Sequence, residues 1–475
     1  MSLTRKIAHN TLYQIIGKGL STVLGILAVG LMTRYLGQEG YGQYITVIAY
    51  LQFFGILVDM GLYIILLKKI SVPDADERKI VSNIFTLRLI SALIFLGLAP
   101  VIILFFPYPS IVKWGVLIAS LSTLSITLNQ VLIGVFQKKL KMHLVAIAEV
   151  LGKAVLLLLA FVAIGLKLNL LAILAAVALG GMANFLVTFA LSRKFIHLRL
   201  AFDFVYWRQI MKESWPIAIS IALNLIYFKA DIILLSLFKP AADVGVYGAP
   251  YKILEVLITL PAMFAGLVTP LLTNAWAENN PEKFKSILSK SLNFMALIAF
   301  PMIVLTFFIA KDIMILIAGQ DFAVSGPLLR ILIIATASIF IGNLFGNTVV
   351  AIGQQKRMIK IYAAVAIIAV AGYLFFIPRY SYYGAAWMTV VSEVLICLGS
   401  VWLVITSTKI KPEMKTIGKI ILAISLTALI LLLLPNWYWL ITLLLGGLIY
   451  LLFLYWFKVF TKQTVLEIIK LPERP

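Results

Sequence analysis

The chain has 475 residues, of which 62% are hydrophobic and 12% are charged, with a formal net charge of +21. Soluble domains are about 45–50% apolar and about 25% charged, so this composition excludes a soluble enzyme, a secreted domain and a disordered protein. A transmembrane β-barrel is excluded because its strands alternate polar and apolar residues. We therefore predict an all-α polytopic membrane protein, and its single cysteine, Cys397, excludes internal disulfides.

Apolar runs long enough to cross a bilayer recur along the whole chain. A helix needs about 20 apolar residues to cross about 30 Å of hydrocarbon. The eighth run contains Pro261 and Pro270, which are expected to kink it because proline removes a helix hydrogen bond. The fourteen predicted spans are 11–35, 41–67, 82–106, 113–136, 143–166, 169–192, 214–238, 245–275, 287–310, 326–352, 359–377, 382–407, 417–434 and 437–457.

Lysine and arginine alternate in density from one connecting segment to the next. Basic clusters such as those in 138–141 and 356–360 follow even-numbered spans, whereas odd-numbered spans are followed by few basic residues. By the positive-inside rule both termini are predicted to be cytoplasmic, in a multi-pass protein of the cytoplasmic membrane. The positive charge then reflects topology and contact with anionic membrane lipids, and no nucleic-acid partner is expected.

Two stretches of the chain repeat each other. Residues 133–141 align without a gap with residues 352–360, and the glycine-rich turn at 40–42 corresponds to the one at 245–248. Spans 1–6 thus correspond to spans 7–12 as a parallel repeat, the arrangement of many two-lobed transporters.

The repeat predicts a division of the chain into four parts. The N-terminal lobe is 1–192, the cytoplasmic connection is 193–213, the C-terminal lobe is 214–407, and 408–475 holds two appended spans and a tail. The connection alternates apolar residues with Arg and Lys, which favours a helix lying on the inner membrane surface.

Ionisable residues inside the spans mark the candidate functional site. Each costs at least about 2.5–3.5 kcal/mol near the bilayer centre unless it is paired or hydrated, so each indicates either internal pairing or a polar cavity. The ten are Lys18, Asp59, Arg88, Glu149, Lys153, Lys229, Asp231, Lys252, Glu255 and Glu393.

Spacing along a helix predicts some of the partners. Glu149 and Lys153 are four residues apart, and Lys252 and Glu255 are three apart, so each pair can meet on one helix face.

Other intramembrane charges have no partner at helical spacing. Lys229 and Asp231 point to different faces of span 7, so at least one of them needs a partner elsewhere, for example on span 8. Asp59 is expected to pair with Lys18. Glu393 has no nearby base and is a candidate for a protonatable coupling residue.

Motifs for enzymatic chemistry are weak or missing. The sequence has no G-x-x-x-x-G-K-[ST] motif for nucleotide binding, and no cofactor is expected. Asp74-Ala75-Asp76 resembles the metal-binding D-x-D of glycosyltransferases, but capping of the span 3 helix explains it better. Tyr227, Tyr247 and Tyr251 could stack on sugar rings, although packing is the favoured role.

Several motifs together resemble one family. They are Arg34-Tyr35-Leu36-Gly37, Gly40-Tyr41-Gly42-Gln43-Tyr44, Asp59-Met60-Gly61-Leu62, Tyr227-Phe228-Lys229-Ala230-Asp231 and the stretch 353–360. With fourteen spans, they make the chain similar to the polysaccharide transporter family of bacterial oligosaccharide flippases. That family is part of the multidrug/oligosaccharidyl-lipid/polysaccharide superfamily.

The resemblance implies two lobes around a central cavity and transport by alternating access. The implied cargo is an undecaprenyl-pyrophosphate-linked oligosaccharide, a repeat unit for O-antigen, capsule or a related polysaccharide. Hydrocarbon does not solvate a pyrophosphate, so a carrier needs buried bases. The candidates for binding it are Lys18, Arg88, Lys229 and Lys252. The candidates for charge pairing or for coupling to protons or sodium ions are Asp59, Asp231, Glu255 and Glu393.

Two other functions are weighed against this interpretation. A cation-coupled multidrug exporter of the same superfamily would favour acids in its cavity, whereas bases and acids are equally numerous here. A membrane glycan polymerase or ligase would place catalytic residues in a large outer loop, which the predicted spans do not leave room for. The lipid II flippase branch ranks lower because its opening signature is not matched.

A monomer is expected, with polysaccharide polymerase machinery as a candidate partner.

Overall fold

The computed structural model describes residues 3–434 and 438–459, with side chains described from Ile16 onward. Within those ranges the chain is all-α and has no β-strand. Two short 3-10 segments, Ile103–Phe105 and Gln320–Ser325, accompany the helices. The helices are α1 Leu3–Asp59, α2 Leu62–Ile70, α3 Glu77–Ile102, α4 Ser110–Lys138, α5 Met142–Gly165, α6 Leu170–Ser192, α7 Phe204–Phe238, α8 Ala241–Leu257, α9 Thr259–Ala277, α10 Pro281–Ala318, α11 Gly326–Ala351, α12 Gln355–Thr408, α13 Lys415–Leu433 and α14 Trp439–Trp456.

Twelve helical segments of the described chain are long and apolar enough to cross a membrane. α12 contains two of the fourteen predicted spans, and α1 contains the first predicted span and residues 41–59 of the second, which continues into α2. A straight helix of 54 residues, the length of α12, would extend about 80 Å, far beyond a bilayer. Non-helical residues break both helices, Gly37 at φ 64° in α1 and Ser381 at φ 49° in α12. The predicted α-helical class is confirmed, with a span count close to the predicted one.

The eighth predicted span is interrupted near Pro261, as expected, whereas Pro270 lies inside the continuous helix α9. α8 ends at Leu257 and α9 begins at Thr259. The ring of Pro261 would clash with the carbonyl four residues earlier, which belongs to Leu257. The interruption therefore lies where the proline prevents a continuous helix.

The helices form two compact units. The first comprises the described residues up to Gly248 together with Ile317–Asp321 and Ile377–Tyr382. The second comprises Ala249–Leu316, Phe322–Phe376 and the described residues from Tyr383 onward. The predicted lobes, 1–192 and 214–407, rest on the sequence repeat and remain a prediction.

In the first unit, α4 and α6 pack against each other, α5 packs on α6 and on α1, and α3 packs on α4. One buried apolar cluster lies around Leu51, Val58 and Val116, and a second around Leu66 and Ile84. Small residues bring α5 and α6 close together. A Cβ built on Gly180 would lie 2.8 Å from the carbonyl oxygen of Gly152, the kind of approach by which membrane helices associate.

The second unit has two prominent packed pairs, α9 with α11 and α13 with α14. Gly446 of α14 faces Leu305 of α10, where an added Cβ would lie 2.5 Å from a leucine methyl carbon. The Tyr450 hydroxyl donates to the Leu297 carbonyl at 3.1 Å. These contacts attach the appended helices to α10.

The predicted surface helix over the 193–213 connection is wrong for much of its length. The chain runs without helix from Ile196 to Asp203, and α7 then begins at Phe204. The backbone amides of Arg199, Ala201 and Asp203 donate to side chains of α3 instead of forming helix hydrogen bonds. Hydrogen bonds to polar side chains of α3 therefore hold this segment in a non-helical conformation, despite its amphipathic pattern.

Candidate functional site

Arg88 and Asp59 form a buried ion pair in the first unit. Asp59 is the last residue of α1, and Arg88 lies on α3, where it is 0% exposed. Nη2 of Arg88 donates to Oδ1 of Asp59 at 2.5 Å and also to the Gln130 side chain of α4. The positive φ angles of Met60 and Gly61 turn the chain immediately after Asp59. The carboxylate therefore lies at a helix end.

Two of the three guanidinium nitrogens of Arg88 are not engaged by these contacts. Its Nε and Nη1 atoms are buried and have no hydrogen-bond partner in the part of the chain that the structure describes. Buried donors without a partner cost about 1–3 kcal/mol each. A guanidinium presents its donors as a planar fork that matches phosphate and carboxylate oxygens. Arg88 therefore has donors left that can bind a further anionic or polar group.

Lys18 and Glu149 form a second pair, between α1 and α5. Nζ of Lys18 donates to Oε1 of Glu149 at 2.8 Å, and the Ser21 hydroxyl donates to the same oxygen at 2.9 Å. The predicted pairing of Asp59 with Lys18 is wrong, because Arg88 binds Asp59. The two side chains are 43% and 27% exposed, so this pair is less enclosed than that of Arg88.

Lys229 and Asp231 are both buried on α7. Oδ2 of Asp231 accepts from the Tyr247 hydroxyl at 2.5 Å, and its Oδ1 accepts from the Ile232 amide at 2.7 Å. Tyr247 belongs to α8, so the predicted partner from span 8 is confirmed. The ammonium of Lys229 lies 5.3 Å from the centroid of the Phe228 ring, within the range of a cation–π interaction.

The second unit holds the remaining candidates. Nζ of Lys252 donates to Oε2 of Glu255 at 2.6 Å, which confirms the pair expected from their spacing. Glu393 is buried on α12 and interacts electrostatically with Tyr362 and with Cys397, one turn further along the same helix.

The tyrosines near these charges are packing residues, as favoured from the sequence. Tyr247 and Tyr251 are essentially fully enclosed, and Tyr227 is buried as well. The Tyr227 hydroxyl accepts from the Asn224 amide at 2.7 Å.

Asp76 caps α3, which confirms the capping interpretation of the D-x-D motif. Its Oδ1 accepts from the Lys79 amide at 2.9 Å.

Neutral polar residues were missed by the search for intramembrane charges. Gln130, which binds Arg88, and Ser21, which binds Glu149, lie within predicted spans. An amide or hydroxyl in an apolar run is a usable signal, because it needs a partner in hydrocarbon. A search for all polar residues within spans would have included both.

The two repeated glycine segments meet within the first unit, but the prediction that they are turns is wrong, because 40–42 lies in α1 and 245–248 lies in α8. A Cβ on Gly42 would lie 1.7 Å from the Ala241 carbonyl oxygen, and one on Gly245 would lie 2.0 Å from the Gln38 carbonyl oxygen. Nearby, Arg34 donates to the Ile317 carbonyl at 2.8 Å. The sequence predicted that these two segments are equivalent, and the structure brings their backbones together.

Twelve apolar helical segments with ion pairs enclosed among them define a polytopic membrane protein. The solved structures that share the fold include the following two. One is titled "Lipid II flippase MurJ, inward closed conformation" (TM-score 0.76, 17% identity, 94% of this chain and 98% of that chain). The other is an inward-facing multidrug resistance MATE family transporter of the MOP superfamily (TM-score 0.62, 14% identity, 83% and 95%). Similarity at this identity shows the fold alone.

The chain belongs to the polysaccharide biosynthesis protein family, whose model matches residues 7–276, more than half of its length. The MatE family model matches residues 216–374. Two relatives are each named "Putative O-antigen transporter". The one from Shigella dysenteriae is 23% identical over 82% of this chain and 98% of its own length. The one from Shigella flexneri is 22% identical over 84% and 97%.

Proposed function

We propose that the protein is a flippase for an undecaprenyl-pyrophosphate-linked oligosaccharide. It moves this lipid from the inner to the outer leaflet of the cytoplasmic membrane by alternating access, for cell-surface polysaccharide biosynthesis. The observation that carries the proposal is Arg88, a fully buried guanidinium with two donor nitrogens left for a further ligand. Family membership and the names of the two Shigella relatives support the same function.

The buried bases have the chemistry that a pyrophosphate requires. A charge is stable inside a membrane protein when it is paired or faces a polar cavity, and the pyrophosphate needs positive groups along its path. We assign this role to Lys18, Arg88, Lys229 and Lys252. Three of the four are lysines, which bind phosphate as point charges, whereas Arg88 supplies bidentate geometry. Arg88 is therefore expected to contribute the most to headgroup recognition.

The acids near these bases are expected to act when the empty carrier returns. Asp59 and Glu255 are paired with candidate bases, and Asp231 is hydrogen-bonded to Tyr247. When the pyrophosphate leaves, the acid neutralises the base again, so that the empty carrier has no uncompensated charge. We assign charge pairing, or coupling to protons or sodium ions, to Asp59, Asp231, Glu255 and Glu393.

Liposome reconstitution tests the proposal. The protein is placed in vesicles with fluorescent undecaprenyl-pyrophosphate oligosaccharide, and exposure of the headgroup on the opposite side is timed. Arg88→Gln and Lys229→Ala should slow flipping by about tenfold or more, while Arg88→Lys should recover part of the rate. Lys283→Gln, at an exposed ion pair with Glu278, is the control and should match the wild type. Equal rates in Arg88→Gln and wild type would refute the assigned site.

The MatE match to residues 216–374 favours one other candidate, a cation-coupled multidrug exporter. The same vesicles loaded with a cationic dye separate the two functions. Proton- or sodium-driven dye export that Asp231→Asn abolishes, with no flipping of several glycolipids, would replace the flippase by the exporter. The expected result is flipping without dye export.

We also propose that the protein is a monomer with both termini in the cytoplasm, and that it works with polysaccharide polymerase machinery.

A further inference from the structure

The segment 199–205, here named the strap, is non-helical up to Asp203 and ends with the first two residues of α7, and it is fixed to α3 in an unusual way. Its alternate backbone amides donate to buried side chains, Arg199 to Ser82 at 3.3 Å, Ala201 to Thr86 at 3.0 Å and Asp203 to Asn83 at 3.1 Å. The partners on α3 are Ser82, Asn83 and Thr86, all buried. Every second residue from Arg199 to Asp203 therefore faces α3.

The start of α7 strengthens the attachment. The Trp207 indole N–H donates to Asn83 Oδ1 at 3.0 Å. The ring of Tyr206 lies between two ammonium groups, Lys69 Nζ at 5.8 Å and Lys79 Nζ at 5.6 Å from its centroid. Hydrogen bonds along its length thus fix the strap to the first unit.

The residues between these attachment points are apolar and face outward. Leu200, Phe202, Phe204 and Val205 are 60%, 58%, 70% and 84% exposed. The Trp207 ring lies 5.1 Å from that of Phe204 and 6.0 Å from that of Phe202. Aromatic residues grouped in this way favour the boundary between headgroups and acyl chains.

The segment that carries the apolar face also carries positive charge. The bases within 193–213 are Arg193, Lys194, Arg199, Arg208 and Lys212. None of these five forms a salt bridge with a residue that the structure describes. The two acids of the same segment are already neutralised, Asp203 by Lys79 at 3.2 Å and Glu213 by Lys69 at 2.8 Å.

The depth of the strap fits the membrane boundary. α3 begins with the charged residues 77–79, and the attachment points from Ser82 to Thr86 follow about 8–14 Å along the helix. An apolar face at an interface lies about 5–10 Å into the boundary between headgroups and acyl chains.

We propose that the strap binds the anionic phospholipid surface of the leaflet on the basic side of the membrane. The exposed apolar residues enter the boundary region, and the five bases contact the phosphates. Anionic lipid attracts basic segments of this kind. The proposal is independent of the transported cargo.

Fluorescence quenching in nanodiscs tests the proposal with the full-length protein. Because Cys397 is the only cysteine, Cys397→Ala with Phe204→Cys gives a single site for an environment-sensitive fluorophore. In discs with equal amounts of phosphatidylglycerol and phosphatidylcholine, iodide should quench the label about threefold less than in discs of phosphatidylcholine alone. Nitroxide attached to lipid should quench the label more in the discs that contain phosphatidylglycerol.

Two sets of variants separate lipid binding from general burial. Arg199→Gln with Arg208→Gln and Lys212→Gln should abolish the dependence on phosphatidylglycerol. Asn83→Ala, which keeps every charge but removes the hydrogen bonds from the Asp203 amide and the Trp207 indole, should weaken this dependence. A label at Phe105→Cys is the control, since Phe105 is 86% exposed and lies outside the strap. Iodide should quench this control label equally in both kinds of disc. Monodisperse elution in size-exclusion chromatography shows that each variant is folded.

Two outcomes would overturn the proposal. Equal iodide quenching of the Phe204→Cys label in the two kinds of disc would exclude anionic lipid as the occupant. A label open to iodide in both discs but shielded in native membranes would assign the strap to a protein partner instead.

Discussion

The guanidinium of Arg88 binds the carboxylate of Asp59 at 2.5 Å although 29 residues separate them in the chain. Asp59 terminates α1, whereas Arg88 is enclosed within α3. The Arg88 side chain is 0% exposed and the Asp59 side chain is 18% exposed. Charge removal at this pair should therefore have a strong effect on stability.

Loss of Asp59 should destabilise the protein because Arg88 would keep a buried charge without an opposing one. We expect Asp59→Asn to lower the free energy of unfolding by about 2–3 kcal/mol. Adding Arg88→Gln should recover most of that loss, since both charges are then gone. A double-mutant cycle in SDS titrations measures the coupling. Strictly additive losses would show that the two side chains do not interact, and Lys283→Gln should change stability by about 0.5 kcal/mol or less.

A methyl group at Gly42 should not fit. A Cβ there would overlap the Ala241 carbonyl oxygen, so Gly42→Ala requires the backbones to separate, at about 2 kcal/mol or more. Gly97 is the matched control, because it is an exposed helical glycine with nothing within 4 Å of an added Cβ. Gly97→Ala should stabilise by about 0.5–1 kcal/mol. Thermal unfolding in detergent checks both, and a neutral Gly42→Ala would contradict the close approach.

The start of α7 should weaken in acid. The Tyr206 amide and the nearby Lys79 ammonium hold the pKa of the Asp203 carboxyl below its ordinary value. A lowered pKa means that Asp203 stabilises the fold above its unfolded pKa of about 3.9, and that this contribution is lost as pH falls through the lower, folded value. Hydrogen exchange at Tyr206, corrected for intrinsic rates, should therefore accelerate at low pH.

Asp203→Asn provides the control for that experiment. Asparagine also caps helices but does not titrate, so its Tyr206 exchange should lose the pH dependence. An unchanged pH dependence in this variant would assign the effect to another group.

The D-x-D motif should behave as a cap and not as a metal site. Asp76→Ala removes the acceptor of the Lys79 amide and should cost about 1 kcal/mol of stability. Asp74→Asn should have little effect, because asparagine tolerates the positive φ of 58° found there. Thermal unfolding with and without Mn²⁺ tests this. Stabilisation by the metal that both substitutions abolish would restore the metal-site interpretation.

Much of the fold can be predicted from the sequence because helix signals are local. Apolar length predicts the spans, the glycine and basic residues predict their ends, and Asp76 predicts a cap. The pair Lys252–Glu255 follows from spacing on one helix. The 193–203 segment could not be predicted, since its amphipathic pattern is equally satisfied by an extended chain that donates to Ser82, Asn83 and Thr86.

The sequence alone determined that this protein is a helical membrane protein with charged residues at identifiable positions within its apolar spans. Only the tertiary structure decided which of those charges meet. Glu149 pairs with Lys18 across 131 positions, and Asp59 pairs with Arg88 and not with Lys18. The reason is physical. Contacts within a helix follow from its fixed period, whereas contacts between helices depend on how each helix is rotated and crossed against its neighbours, and no local pattern encodes that choice.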